Sequence, residues 1–248
     1  MIKLVSNVTV LMRFPKVERS KWKCDIIEGL INKGYNVSII FAYCSYFDHL
    51  KFGYKYLGNS MFSRRNKLST YTTVNTRKIK EYFREKISVI EVGKENSYKA
   101  EKKVKMLNPD LLILLGTGII RKNILKIPNQ GTIHVHQGYL PKYRGVNTIE
   151  WSVYHNHAIY ISAHFVSPGI DTGDIIKRIR ISYNNHDDIT SIREKCKNRA
   201  IKLIIETIEK ISTGSEERIK QTKSEGNQYF EMHPFFLNNV ERYIKLKE

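Results

Sequence analysis

The sequence is poor in cysteine and in carboxylates, and it has no long apolar run. Its three cysteines, Cys24, Cys44 and Cys196, stand far apart without CxxC spacing, which suggests neither a disulfide framework nor a thiolate zinc site. Reduced thiols in a cytoplasmic protein are the expectation. The apolar opening MIKLVSNVTVLM carries Lys3 and Asn7 and meets Arg13 and Pro15 at once. It is too short and too polar for a secretory leader or a membrane span, which needs about 20 apolar residues. No later run approaches that length, so no membrane association is expected. Carboxylates are scarce against base: 24 Asp+Glu oppose 42 Lys+Arg, leaving +18, a field that attracts polyanions. The basic residues are dispersed, and the RNP aromatic motif, the zinc finger and the basic zipper are all missing. A small phosphate-bearing substrate is therefore expected rather than a nucleic acid.

What is present is an alternation of strand and helix signals. At 248 residues the chain suffices for one sizeable core. After the opening strand, Trp22, Ile26, Ile27, Leu30 and Ile31 recur at helical spacing between Ser20 and Lys33, and Gly34 stops them. The strand NVSIIFAY, Asn36–Tyr43, follows. This β-α-β start predicts a parallel sheet covered by helices. From Cys44 to about Thr73 no single period fits, and a loop or irregular helix is expected. Helical patterns over Asn75–Glu85 and Ser97–Met106 flank the strand Ile87–Gly93. LLILLG, Leu111–Gly116, is apolar on both faces, as the middle of a parallel sheet requires. Beyond Asp174 come the strand IIKRIRISY and a long helix from Asp187 to Lys210. The aromatic-rich tail GNQYFEMHP then predicts a packed segment. The expected fold class is α/β: a Rossmann-like, mostly parallel sheet with helices on both faces and a short C-terminal extension. Residues 1–180 would form the core, and 181–248 a strand, helix and tail packed on the same domain.

Chemistry concentrates between Gly131 and Asp174. On the strand GTIHVH, His134 and His136 are two residues apart and share a face. Two such imidazoles fit a metal, a general base or a polar pocket. In open α/β sheets ligands gather beyond the carboxyl ends of strands, where Gly116–Ile119 and His134–Tyr139 would lie. His155 and His157 form a second HxH that should diverge on a helix-to-turn segment. Glu150, beside Trp151, should lie on a helix surface. His164 should be packed near the site.

The segments GTIHVHQGYLPKYRG and AHFVSPGIDTGDII, with Trp151 between them, resemble the signature of the folate-dependent formyltransferases. The match is carried by His136, Leu140, Pro141, Tyr143, Arg144, Gly145, His164, Val166, Gly169, Asp171 and Gly173. Upstream, NPDLLILLGTGIIRKNIL is similar to the strand and folate-side loop of that family. The resemblance implies 10-formyltetrahydrofolate as formyl donor, a primary amine as acceptor, and no metal. It implies His136 and Asp171 as catalytic residues, with His134 joining them. It also implies Leu115, Gly116, Thr117, Gly118, Ile119, Val166, Gly169 and Ile170 on the cofactor side. Tyr139, Lys142, Tyr143, Arg144 and Gly145 would face the substrate, Lys142 and Arg144 either meeting phosphate or holding their loop.

His134 stands where the family pattern has asparagine. An amide donates at every pH, whereas an imidazole donates only from a protonated nitrogen. The expectation is that His134 replaces the amide as donor, the alternatives being an altered reaction or a weak catalyst. The resemblance separates substrate classes by absence. No room is seen after a core ending near Arg180 for the added domain of the methionyl-tRNA enzymes. SNVTVLMRFPKVER lacks the early glycine-rich phosphate loop of the glycinamide ribonucleotide enzymes. A nucleotide-linked amino sugar remains as the expected partner, with a homodimer allowed. Two rivals stay open: a metal-dependent hydrolase with His134, His136 and Asp171 as ligands, and a non-catalytic polyanion-binding relative of the fold.

Overall fold

Val, Ile and Leu side chains supply most of the buried surface of the strands of the first half. The computed structural model describes residues 5–14, 21–43 and 81–247. Within them lie β1 (Asn7–Phe14), α1 (Lys21–Asn32), β2 (Asn36–Tyr43), β3 (Ser88–Val92), α2 (Tyr98–Leu107), β4 (Leu111–Leu115) and α3 (Lys122–Leu125). All five residues of β4 are buried. Strands β2 and β4 both pair in parallel with β1, and β3 pairs in parallel with β2. α1 buries Ile26, Ile27 and Leu30. α2 begins where the Ser97 hydroxyl accepts the Ala100 N–H at 3.2 Å, a side-chain cap that satisfies a helix-start donor. The expected helix from Asn75 is described only at its end, where 81–84 are helical. The stretch Cys44–Thr73 lies outside the described residues.

The second half continues with β5 (Thr132–His136), β6 (Tyr143–Gly145), α4 (Thr148–Tyr154), β7 (Ile159–Phe165), β8 (Ile175–Ile181), α5 (Ile189–Thr213), β9 (Asn227–Tyr229) and α6 (Pro234–Lys245). Here β7 pairs antiparallel with both β5 and β8, a reversal that short apolar strands do not announce. The fold is thus α/β and mostly parallel, as expected. α5 is opened by a reciprocal cap between Asp188 and Ser191. The tail is packed as its aromatics suggested. β9 pairs in parallel with β6, Tyr229 stacks on Tyr143 at 4.9 Å, and the Trp151 indole N–H donates to the Phe230 carbonyl at 2.9 Å.

The chain divides into two compact units, Asn7–Asn129 and Gln130–Glu248 with Met1–Ser6. The expected line between 180 and 181 therefore falls inside the second unit, at the end of β8. Glu150 departs from its expected place: it is 1% exposed, not on a helix surface, and its carboxylate pairs with the Arg193 guanidinium of α5. The two residues are 43 apart in sequence, so no helical period of α4 reveals the partner. A buried charge persists only where it is paired. Arg193→Ala should cost about 3 kcal/mol by leaving that charge uncompensated, and adding Glu150→Gln should recover most of the loss. Urea-unfolding midpoints of the single and double variants check this; equal losses in the two would disprove it.

Candidate active site

The antiparallel register of β5 and β7 sets His134 opposite His164 and His136 opposite Ser162. The His134 and His164 rings meet edge to face at 5.8 Å. After β7 the chain makes a tight turn before β8, closed by Phe165 N–H to the Asp174 carbonyl at 2.9 Å and by Ser167 Oγ against Thr172 Oγ1 at 2.7 Å. Asp171 occupies this turn at φ 52°, a left-handed conformation that Asp tolerates better than most residues. Gly173 is required beside it, because a Cβ there would run into the Phe165 carbonyl oxygen.

The turn delivers the Asp171 carboxylate to three partners. Its Oδ2 lies 3.3 Å from His136 Nδ1, and its Oδ1 lies 3.7 Å from His164 Nε2. The Gly145 N–H donates to Oδ2 at 2.9 Å. From the C-terminal segment, the Gln221 side-chain amide donates to the backbone carbonyls of Asp171, at 3.1 Å, and Gly173. The other nitrogen of His136, Nε2, is 2.9 Å from the Tyr143 carbonyl. A carboxylate and a carbonyl both accept, so the ring serves both only by donating from both nitrogens. At Gly138 a Cβ would press on this ring and on the Tyr143 carbonyl. The Ser162 hydroxyl fixes that segment by donating to the Gly138 carbonyl at 2.6 Å and accepting the Leu140 N–H at 3.2 Å.

Burial pushes the Asp171 carboxyl upward, but the facing imidazoles of His136 and His134, with His164 and the Gly145 N–H, outweigh it and hold the group below its ordinary range. His164 moves the opposite way for a base. Burial first, then the neighbouring His134, lower it far beneath the usual imidazole range, against the pull of Asp171. It is therefore a neutral, packed histidine, as expected. Donor atoms of His134, His136 and Asp171 lie within 4.8 Å of one another.

The remaining candidates separate into distinct settings. Arg144 is buried and donates to the Gly226 carbonyl at 2.7 Å, so it holds its loop to the C-terminal segment. Lys142 is exposed, its ammonium 3.3 Å from His157 Nε2. The expected divergence of His155 and His157 is not found: their Nδ1 atoms converge on the Tyr143 hydroxyl at 2.9 and 2.5 Å. The chain turn after α4 carries both back over β6, a closure that strand and helix periods do not encode. Tyr139 stacks on Tyr160 at 4.4 Å with the Arg178 guanidinium 5.4 Å from its ring. Val166 donates its N–H to the Thr132 carbonyl at 2.7 Å, while Gly169 is exposed and Ile170 half-buried on the Asp171 turn.

Leu115, Gly116, Thr117, Gly118 and Ile119 belong to the other unit, at the carboxyl end of β4. There β1 has β2 on one side and β4 on the other, the kind of switch point where open sheets take ligands. Lys23 reaches this edge, donating to the Arg13 carbonyl at 3.1 Å, and burial pushes its amine down to about 8. Sequence reasoning missed Lys23, Ser162 and Gln221. Each is a single polar residue outside any motif, and only its partners give it meaning.

An imidazole on a buried strand and a carboxylate on a glycine-flanked turn form a pair that can orient a reactant, move a proton or stabilise developing charge. The formyl transferase family matches residues 59–208, and the chain belongs to that family. A methionyl-tRNA formyltransferase of Thermodesulfovibrio yellowstonii is 39% identical over 115 residues, 46% of this chain and 37% of that protein. The chain thus spans well under half the length of that relative. A sugar N-formyltransferase from Shewanella has the same fold with a TM-score of 0.61 at 11% identity, over 90% of this chain and 76% of that one. The N-formyltransferase of Helicobacter canadensis, solved with folinic acid and dTDP-3-aminofucose, gives 0.60 at 17% identity over 96% and 80%. Among the described residues no helix is long and apolar enough to cross a membrane.

The buried neutral state of His164 has a stability consequence. Its folded pKa is depressed below the unfolded value of about 6.5, so below that pH the unfolded chain binds a proton that the native site refuses. Stability should be complete above pH 6.5 and fall by about 1.4 kcal/mol per pH unit beneath it. Urea unfolding of the wild type and His164→Gln between pH 7.5 and 5 measures this; identical slopes in the two would disprove it.

Proposed function

We propose that the protein transfers a formyl group from 10-formyltetrahydrofolate to the primary amine of a nucleotide-linked amino sugar. The observation that carries this reading is the His136 and Asp171 pair, its geometry set by the Gly145 N–H, the Asp171 turn and the Tyr143 carbonyl. In the transfer, the amine nitrogen bonds to the formyl carbon, the bond from that carbon to the folate nitrogen breaks, and the amine proton passes to the departing nitrogen. Negative charge develops on the formyl oxygen, and the side chains that face it matter most.

His136 is the imidazole set beside the formyl group, its Nδ1 facing Asp171 and its Nε2 the Tyr143 carbonyl. Asp171, a carboxylate held below its ordinary range, is a weak proton acceptor at neutral pH. It acts chiefly by orienting the His136 ring through Nδ1, and as a relay for the amine proton. His134 takes the place of the donor amide. Leu115–Ile119, Val166, Gly169 and Ile170 remain the cofactor-side candidates. For the substrate, exposed Lys142 and the stacked Tyr139 suit a nucleotide diphosphate better than buried Arg144 does. The amino-sugar choice is supported by the glycine-free opening SNVTVLMRFPKVER, which lacks the phosphate loop a ribonucleotide acceptor would use, since fold similarity alone extends alike to sugar N-formyltransferases and a glycinamide ribonucleotide transformylase.

The His134, His136 and Asp171 cluster also favours a second reading, a metal-dependent hydrolase, since two imidazoles and a carboxylate suit zinc. Stoichiometric zinc in the purified protein, with chelator-sensitive hydrolysis, would support it.

Mass spectrometry for formyl gain on nucleotide amino sugars, with 10-formyltetrahydrofolate as donor, tests the main reading. His136→Asn and Asp171→Ala should each lower kcat by roughly 10²- to 10⁴-fold, while His134→Asn should retain turnover. Unchanged rates in the first two would sink the assignment.

A further inference from the structure

The loop after β4 carries two glycines in three residues and no regular structure from Thr117 to Arg121, yet it is tied down by side chains from one remote turn. Glu95 and Asn96 lie between β3 and α2. The Glu95 carboxylate accepts the Gly118 N–H at 3.0 Å. The Asn96 side-chain amide donates to the Ile119 carbonyl at 2.7 Å, and its oxygen accepts the Arg121 N–H at 2.8 Å. Three backbone groups within four residues are therefore held by two adjacent side chains.

Glu95 is itself 3% exposed, and its carboxylate lies 3.2 Å from the Arg13 guanidinium at the end of β1. A buried carboxylate is costly unless paired and hydrogen-bonded, and here both conditions are met by β1 and the loop together. The clamp thus joins the ends of β1 and β4, on either side of the switch point, to the turn after β3. At the centre of the clamped loop, Ile119 keeps its side chain 74% exposed. A large apolar group held out in water on a fixed backbone is a contact surface in waiting, and an aromatic ligand is the chemistry that fits it.

The geometry points to Glu95 and Asn96 as positioning residues that fix the Gly116–Ile119 loop and present Ile119 to the pterin and aminobenzoyl rings of the folate. This rests on the formyl-transfer reading. They act through the loop and touch no reacting atom. Their loss therefore lets the loop sample other conformations and weakens folate capture, while the chemistry of bound reactants stays as it was.

Asn96→Ala, at a half-buried position, removes two hydrogen bonds. It should raise KM for 10-formyltetrahydrofolate roughly tenfold with kcat and the amine KM held. Its calorimetric affinity for 5-formyltetrahydrofolate should fall equally. Glu95→Ala should act the same way, and Glu95→Gln, which keeps an oxygen for the Gly118 N–H, should recover most of the effect. If the Glu95 variants fail to fold, the Asn96 variant, checked by thermal unfolding, decides alone. Wild-type protein that neither binds 5-formyltetrahydrofolate nor transfers a formyl group overturns the formyl-transfer reading and this inference with it. Wild-type binding and turnover with an unchanged folate KM in Asn96→Ala overturns this inference only.

Discussion

A carboxylate ringed by imidazoles is the interaction on which the second half of the molecule depends. Asp171 faces His136 and His164, and its burial pushes it toward the neutral form. The imidazoles and the Gly145 N–H reverse that balance and keep it ionised. The backbone has to bend into the left-handed region to bring it there, and Gly173 has to lack a side chain for the bend to close. Local strain of this kind persists where surrounding contacts over-determine it, and Gln221, Ser167 and Thr172 supply those contacts.

The C-terminal segment belongs to this arrangement rather than trailing from it. β9 completes a two-stranded sheet with β6, the strand whose Tyr143 carbonyl meets His136 and whose Gly145 N–H meets Asp171. Arg144, from the same strand, is tied to Gly226. The residues around the proposed chemistry are thus fixed from both sides in sequence: by β5, which carries the histidines, and by chain some ninety residues further on. That is a rigid support of the kind a preorganised site requires.

Much of this was legible in advance, for reasons specific to each element. β4 could be read because five consecutive apolar residues bounded by Pro109 and Gly116 fit a short strand buried on both faces. α5 could be read because its isoleucines recur at helical spacing, and the shared face of His134 and His136 because a strand has a period of two. His136 and Asp171 were found through the resemblance of their segments to a known signature. Glu150 was misplaced because its neighbours in sequence give no hint of Arg193. The divergence expected of His155 and His157 was wrong because their convergence is made by a turn, and Ser162, Gln221, Glu95 and Asn96 carry no pattern at all.

The sequence by itself determined the α/β class, the main strands and helices and the chemical identity of the central pair, because these follow from local periodicity and from residue types in a fixed order. Tertiary structure alone decided the antiparallel return of β7 and β8 and which buried charges are neutralised by which partners. It also decided which side chains hold the Asp171 turn and the loop after β4. Those outcomes depend on contacts between residues tens of positions apart, and a hydrogen bond or ion pair is set by distance and angle in space, which no local pattern records.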